Sequence, residues 1–82
     1  MKNIIKNYAR NIRREDIVNF VNNNGFNVSD KEIDVIYEHI QKYHDVFFDD
    51  PFGYVKVLKG KISDQNYYQI LVLLDRYKNF LK

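Results

Sequence analysis

Residues 22 to 33 read Asn-Asn-Asn-Gly-Phe-Asn-Val-Ser-Asp-Lys-Glu-Ile, and they constrain the fold more than any other stretch of the chain. Gly25 is suited to the left-handed conformation that ends a helix. Ser29 is suited to cap a new helix with its hydroxyl, and Glu32, three residues on, to reach back to the Ser29 amide; together they form the pattern of a capping box. Val28 and Ile33 occupy the two positions of a hydrophobic staple. One helix, a short connection and a second helix with a buried corner are thus written into twelve residues. The pattern points to an all-α chain and names no reaction.

The periodicity on either side agrees. Ile4, Ile5, Tyr8 and Ile12 recur at helical spacing, which predicts a first helix around residues 2–9. A second runs from Arg14 to Asn23 with Ile17, Val18, Phe20 and Val21 on its apolar side. Glu15 and Asp16 sit in its first turn, where the helix dipole favours acids, but Arg13 occupies the cap position and is a poor capping residue. The third helix spans Asp30 to about Tyr43, with Ile33, Ile36, Tyr37 and Ile40 in one stripe. Asp50-Pro51 signals a fourth helix, a capping carboxylate followed by proline at the first position, and Gly60 ends it. The segment 54–59 also fits a strand by its β-branched content; a lone strand would have no partner in this chain, which favours helix. Ser63 starts a last helix to about Leu81, and its stripe of Tyr67, Ile70, Leu71, Leu74, Tyr77 and Leu81 is widened by Leu73 and Phe80.

Size and composition set the class. A chain of 82 residues is one domain, 1–82, with a small core. It has no cysteine, so neither disulfides nor thiolate metal sites support it, and 45% apolar with 16% aromatic content argues against disorder. No run of about 18 apolar residues exists to span a membrane, and the N-terminus lacks the apolar segment of a secretory signal, so a cytoplasmic location is expected.

The net charge of +2 conceals three blocks. Residues 1–14 carry Lys2, Lys6, Arg10, Arg13 and Arg14 and no acid; residues 15–50 sum to −7; residues 51–82 sum to +4. The basic cluster contains Tyr8, suited to stack on an unpaired base, so an anionic surface or single-stranded nucleic acid is one candidate partner. The ordinary alternative is a solvated helix face paired with the acidic block. Anion binding also carries a geometric condition: the basic stripe must point away from the acidic outer side of the third helix.

Other chemistry finds little support in the spacing. His39 and His44 are five apart, whereas metal ligands on one helix face want three or four, so a half-buried His39 and a capping or solvated His44 are expected. Asp45, Asp49 and Asp50 resemble a calcium loop only until Phe47 and Phe48 fill ligand places. A helix-turn-helix reading would make the third helix the recognition helix, and its Asp30, Glu32, Asp34 and Glu38 would repel DNA. No phosphate loop or nucleophile constellation is present, and a core this small leaves little room for a substrate pocket.

The series Arg14-Glu15-Asp16-Ile17-Val18-Asn19-Phe20-Val21, Gly25-Phe26-Asn27-Val28-Ser29 and Glu32-Ile33-Asp34-Val35-Ile36 resembles the YqfT-like family of short helical proteins of low-GC Gram-positive bacteria. Asp50-Pro51-Phe52 to Lys59 and the last helix fit the same layout. Arg13 departs from the capping Thr or Ser typical of that family. The resemblance implies an all-α cytosolic protein and transfers no catalytic residue.

The sequence therefore predicts a compact all-α domain of four or five short helices, the last one longest and central. Its expected core is Ile17, Val21, Phe26, Val28, Ile33, Ile36, Tyr37, Ile40, Ile70, Leu71, Leu74 and Tyr77. The expected role is non-enzymatic, without cofactor, metal or small-molecule substrate: a protein-interaction module or homodimer using the excess apolar residues Tyr68, Leu73 and Phe80. The alternative is weak, sequence-nonspecific contact with nucleic acid or an anionic surface through Lys2, Lys6, Arg10, Arg13 and Arg14.

Overall fold

The computed structural model describes residues 2–77, the side chains of 2–6, 48 and 77 excepted. Five α-helices follow one another: α1 (Lys2–Asn11), α2 (Arg14–Asn23), α3 (Asp30–Tyr43), α4 (Pro51–Lys56) and α5 (Asp64–Tyr77), with a single 3₁₀ turn at Phe47–Asp49 before α4. The chain is all-α, as the periodicity predicts, and among the described residues no strand forms.

The α2–α3 corner is built by the residues that signal it. Gly25 has φ +70°, and the Gly25 and Phe26 amides donate to the carbonyls of Asn22 and Val21 at 3.2 and 2.9 Å. These two bonds are a Schellman motif, which absorbs carbonyls a helix end leaves orphaned. Ser29 Oγ accepts from the Glu32 amide at 3.2 Å, and the Ser29 amide donates to Glu32 Oε1 at 3.1 Å, completing the capping box. Val28 packs against the buried trio Ile17, Val21 and Ile33. At α2 the cap is half a box: the Arg13 amide donates to Asp16 Oδ2 at 2.9 Å, so Asp16 supplies what the Arg13 side chain lacks.

The stretch left between helix and strand resolves into both a helix and a turn. Asp50 caps α4 by accepting from the Gly53 amide at 3.2 Å, and a Cβ at Gly53 would run into that carboxylate. After Lys56 the chain tightens through successive amide-to-carbonyl bonds three residues apart, from Val57, Leu58 and Lys59. It then reverses at Gly60, φ +83°, and Ser63 caps α5 by accepting from the Asn66 amide at 3.2 Å.

Two expectations change. Among the described residues the central place expected of the last helix belongs to α3: α1 and α2 both pack on it, while α5 packs on α4. Helix α3 and the described part of α5 are equal in length at 14 residues. Among the described side chains of α5 only Leu74 and Asn66 are buried, whereas Ile70, Leu71 and Leu73 keep part of their surface. The core list also shifts. Ile17, Val21, Ile33 and Leu74 are buried as expected, and Phe26, Val28, Ile36, Tyr37 and Ile40 pack around the first three. Val55, Leu58 and Ile62, absent from the expected core, are buried at 3, 3 and 7% exposure. The spacing of Phe52, Val55 and Leu58 gives the apolar side of the fourth helix; the fold buries Val55 and Leu58 and leaves Phe52 exposed. The Tyr77 side chain lies outside the described residues.

Candidate functional site

Three helices offer the same local pattern to one volume. Ile17, Phe20 and Val21 of α2, Ile36, His39 and Ile40 of α3, and Asn66, Gln69, Ile70 and Leu73 of α5 are each spaced so that they share a helix face. Phe26, Phe47, Val55 and Leu58 close the remaining sides. Together they enclose an apolar cleft of about 270 Å³, a little under the range of about 300–1,000 Å³ usual for ligand pockets. Its lining includes the buried Ile17, Val21, Val55 and Leu58, while Phe20 remains 50% exposed and holds its ring tilted, 6.2 Å from that of Phe26.

Three polar residues reach the cleft wall, and they differ in how their polar atoms are satisfied. Asn66, buried, donates from Nδ2 to the Asn27 carbonyl at 3.0 Å and to both Glu32 carboxylate oxygens at 3.3 and 3.2 Å. Glu32 also accepts from the Ser63 amide at 2.7 Å, so one carboxylate joins the start of α3 to the start of α5. The Ser63 amide, aided by the Ser29 and Asn66 bonds, outweighs partial burial and holds the Glu32 carboxyl down to about 2. His39, buried rather than half-buried, bonds the Tyr54 carbonyl through Nε2 at 2.7 Å. A carbonyl only accepts, so Nε2 carries the proton in that bond. Burial is the largest influence on this imidazole and lowers its pKa; Lys61 and Lys42 add to the effect, and the bond to Tyr54 opposes it. The ring makes a tilted contact with Tyr43, which in turn makes one with Tyr54, each step 4.9 Å between centroids. Gln69 is the exception: its Oε1 is enclosed and has no hydrogen-bond donor.

The structure separates the residues expected to meet a partner. Leu73 lines the cleft. Tyr68 is 67% exposed and lies one turn from the exposed Val72, on a different face of α5 from Leu73. Phe80 lies outside the described residues.

The basic cluster is drawn into the fold where its side chains are described. Arg14 bonds Asp34 at 2.6 Å and reaches Asp30 at 3.7 Å, Arg10 meets Asp45 at 3.5 Å, and Arg13 meets Asp16 at 3.8 Å. The bond to Asp34 raises the Arg14 pKa further above its already high ordinary value. The condition set for anion binding is not met at Arg14, which lies against the outer acids of α3. The side chains of Lys2 and Lys6 lie outside the described residues, and Tyr8 is exposed.

Among the described residues no group of three or more His, Asp or Glu side chains is arranged to hold a metal ion. His44 caps the end of α3: its Nδ1 lies 2.9 Å from the Gln41 carbonyl and its Nε2 3.2 Å from Asp45. Among the described residues no helix is long and apolar enough to cross a membrane. No family model, curated protein or solved structure matches the chain.

The sequence pointed to α5 as a source of surplus apolar surface but not to the cleft. Phe20, half exposed at the end of α2, is the functional candidate it missed. Its apolar character at an i, i+3 position from Ile17 marks it as core, yet it lines the cleft and stays 50% exposed.

Proposed function

We propose that this chain is a small, non-enzymatic, cytoplasmic interaction module whose cleft receives an apolar side chain from a protein partner. The observation that carries the reading is the apolar cleft itself, walled by three helices and rimmed by the half-exposed Phe20. Uncovered apolar surface in water is costly, about 25 cal/mol per Å², and a partner's side chain relieves that cost. Helix-in-groove recognition supplies the geometry: an amphipathic segment places one or two anchoring side chains between neighbouring helices. Tyr68 and Val72, exposed one turn apart on α5, extend the apolar surface available to a partner. Kinship with the YqfT-like family is part of the same proposal; it rests on the capping and core residues of α2 and α3 and adds no activity.

Analytical ultracentrifugation combined with a cytosolic pull-down tests this reading. The wild-type chain is expected to retain a protein partner or to dimerise. Phe20→Glu is expected to abolish that association while keeping the helical circular-dichroism spectrum, because half of Phe20 already faces water. A strictly monomeric chain that retains nothing, or a partner held equally by the variant, overturns the reading.

A further inference from the structure

The corner between α2 and α3 carries a reactive pair. Of the asparagines in the chain, Asn24 alone precedes a glycine. Asparagine is thermolabile because the next residue's backbone nitrogen can attack its side-chain amide carbon, and glycine, having no side chain, hinders that approach least. Asn24 is exposed, and the space a Cβ would take at Gly25 is open, so water reaches the pair.

The folded corner nevertheless holds the reacting atoms apart. The nucleophile is engaged, because the Gly25 N–H donates to the Asn22 carbonyl at 3.2 Å. The leaving nitrogen is engaged as well, because Asn24 Nδ2 donates to the Phe20 carbonyl at 2.8 Å. The backbone is also turned the wrong way. At φ −99° and ψ 3° the Gly25 nitrogen eclipses the Asn24 amide nitrogen, whereas closing a five-membered ring requires it to eclipse Cβ. The Schellman motif maintains this arrangement through its second bond, from the Phe26 amide to the Val21 carbonyl at 2.9 Å.

We infer that Asn24 is a modification site gated by this corner: when the corner opens, the Gly25 nitrogen closes on the Asn24 side chain and converts it to aspartate and isoaspartate. Hydroxide takes the Gly25 proton, the nitrogen bonds to Asn24 Cγ, and ammonia leaves, giving a succinimide. Water then opens the ring at either carbonyl. The net reaction consumes one water and releases one ammonia, with no change of oxidation state. Neither product restores the corner as it was. Each lacks the donor that holds the Phe20 carbonyl and sets a carboxylate at the negative end of the α2 dipole. Isoaspartate also adds a carbon to the backbone that the Schellman bonds span. An opening is thereby recorded permanently, in a corner that carries Phe20 and Phe26 of the cleft wall.

The test follows the purified chain at mildly alkaline pH, folded and in guanidinium chloride, by peptide mass mapping of residue 24 and by hydrogen exchange of the Gly25 amide. In denaturant Asn24 is expected to convert ahead of every other asparagine. In the folded chain conversion is expected to be at least about tenfold slower, and slowed by the same factor as Gly25 exchange, since both need the same opening. Phe26 packs against the buried trio Ile17, Val21 and Ile33 behind the motif. Phe26→Leu weakens that packing without touching the reacting atoms, and it is expected to raise both rates by one common factor. Conversion in the folded chain as fast as in denaturant would overturn the gate. Another asparagine converting first in denaturant would overturn the site. Faster Gly25 exchange in Phe26→Leu without faster conversion would overturn the link between them.

Discussion

Helix α3 is tied to the C-terminal half of the molecule at two points, and the two ties are of opposite kinds. Near its start, Glu32 is a charged carboxylate that collects the Ser29 and Ser63 amides and the Asn66 side chain. Two turns of helix later, His39 is a neutral ring that makes one bond, to the Tyr54 carbonyl, and is otherwise buried against aromatic rings. The first tie stabilises through charge-assisted hydrogen bonds, the second through burial with a single polar atom satisfied. The apolar cleft is lined by the side chains of both regions: Asn66 from the first, and His39 itself from the second. Of the three polar residues beside this cleft, Asn66 and His39 are satisfied by partners outside it, and Gln69 Oε1 is not.

The largest effect should come from the apolar layer on which both ties depend. Leu58 is 3% exposed and lines the cleft, so Leu58→Ala should cost about 2–5 kcal/mol in denaturant unfolding. A loss below that range would mean that the cleft collapses to fill the space. Next, Glu32→Ala strands the Ser63 amide and the Asn66 side chain and should cost about 2–3 kcal/mol, while Glu32→Gln, which retains an acceptor, should cost less. Equal losses for both would show that charge contributes nothing to this tie.

Acid should separate the two ties. Both groups have folded-state pKa values below their ordinary ones, so in each case the unfolded chain binds the extra proton first. Stability is therefore present at neutral pH and lost as pH falls. The His39 contribution starts to fade below its ordinary value near 6.5, and the Glu32 contribution fades between about 4.5 and about 2. Unfolding midpoints measured against pH should show two descents, and His39→Phe should remove the upper one alone. A single descent unaffected by that variant would mean that the imidazole is not held neutral by burial.

Smaller again, Ser29→Ala should cost about 1 kcal/mol, the usual worth of an N-cap, since it removes the hydroxyl that accepts from the Glu32 amide. The least effect belongs to Arg14→Ala. Its guanidinium bridges α2 to Asp30 and Asp34 at the surface, so the midpoint shift should be small at low salt and vanish at high salt. A shift that persisted in high salt would make Arg14 a packing residue instead.

What the sequence determined by itself is everything that acts over three or four residues. The Schellman turn at Gly25, the capping box of Ser29 and Glu32, the Asp50-Pro51 start of α4 and the Ser63 start of α5 are all local geometry, and all appear where the residues place them. Tertiary structure decided which side chains meet across long separations. Glu32 reads as half of a capping box, yet it also holds Ser63, 31 residues away. His39 reads as a half-buried residue with no named partner, yet it is buried against a carbonyl 15 residues on, in α4. The basic N-terminus reads as a stripe that either meets an anion or pairs with the acidic block, and the fold pairs Arg14 with acids 16 and 20 residues downstream. The reason is physical: a cap or a turn is closed by bonds within one turn of backbone, whereas these pairings depend on how far apart the helices settle once their apolar faces have packed. The cleft is the clearest case, because it is a distance between elements, and no residue encodes a distance alone.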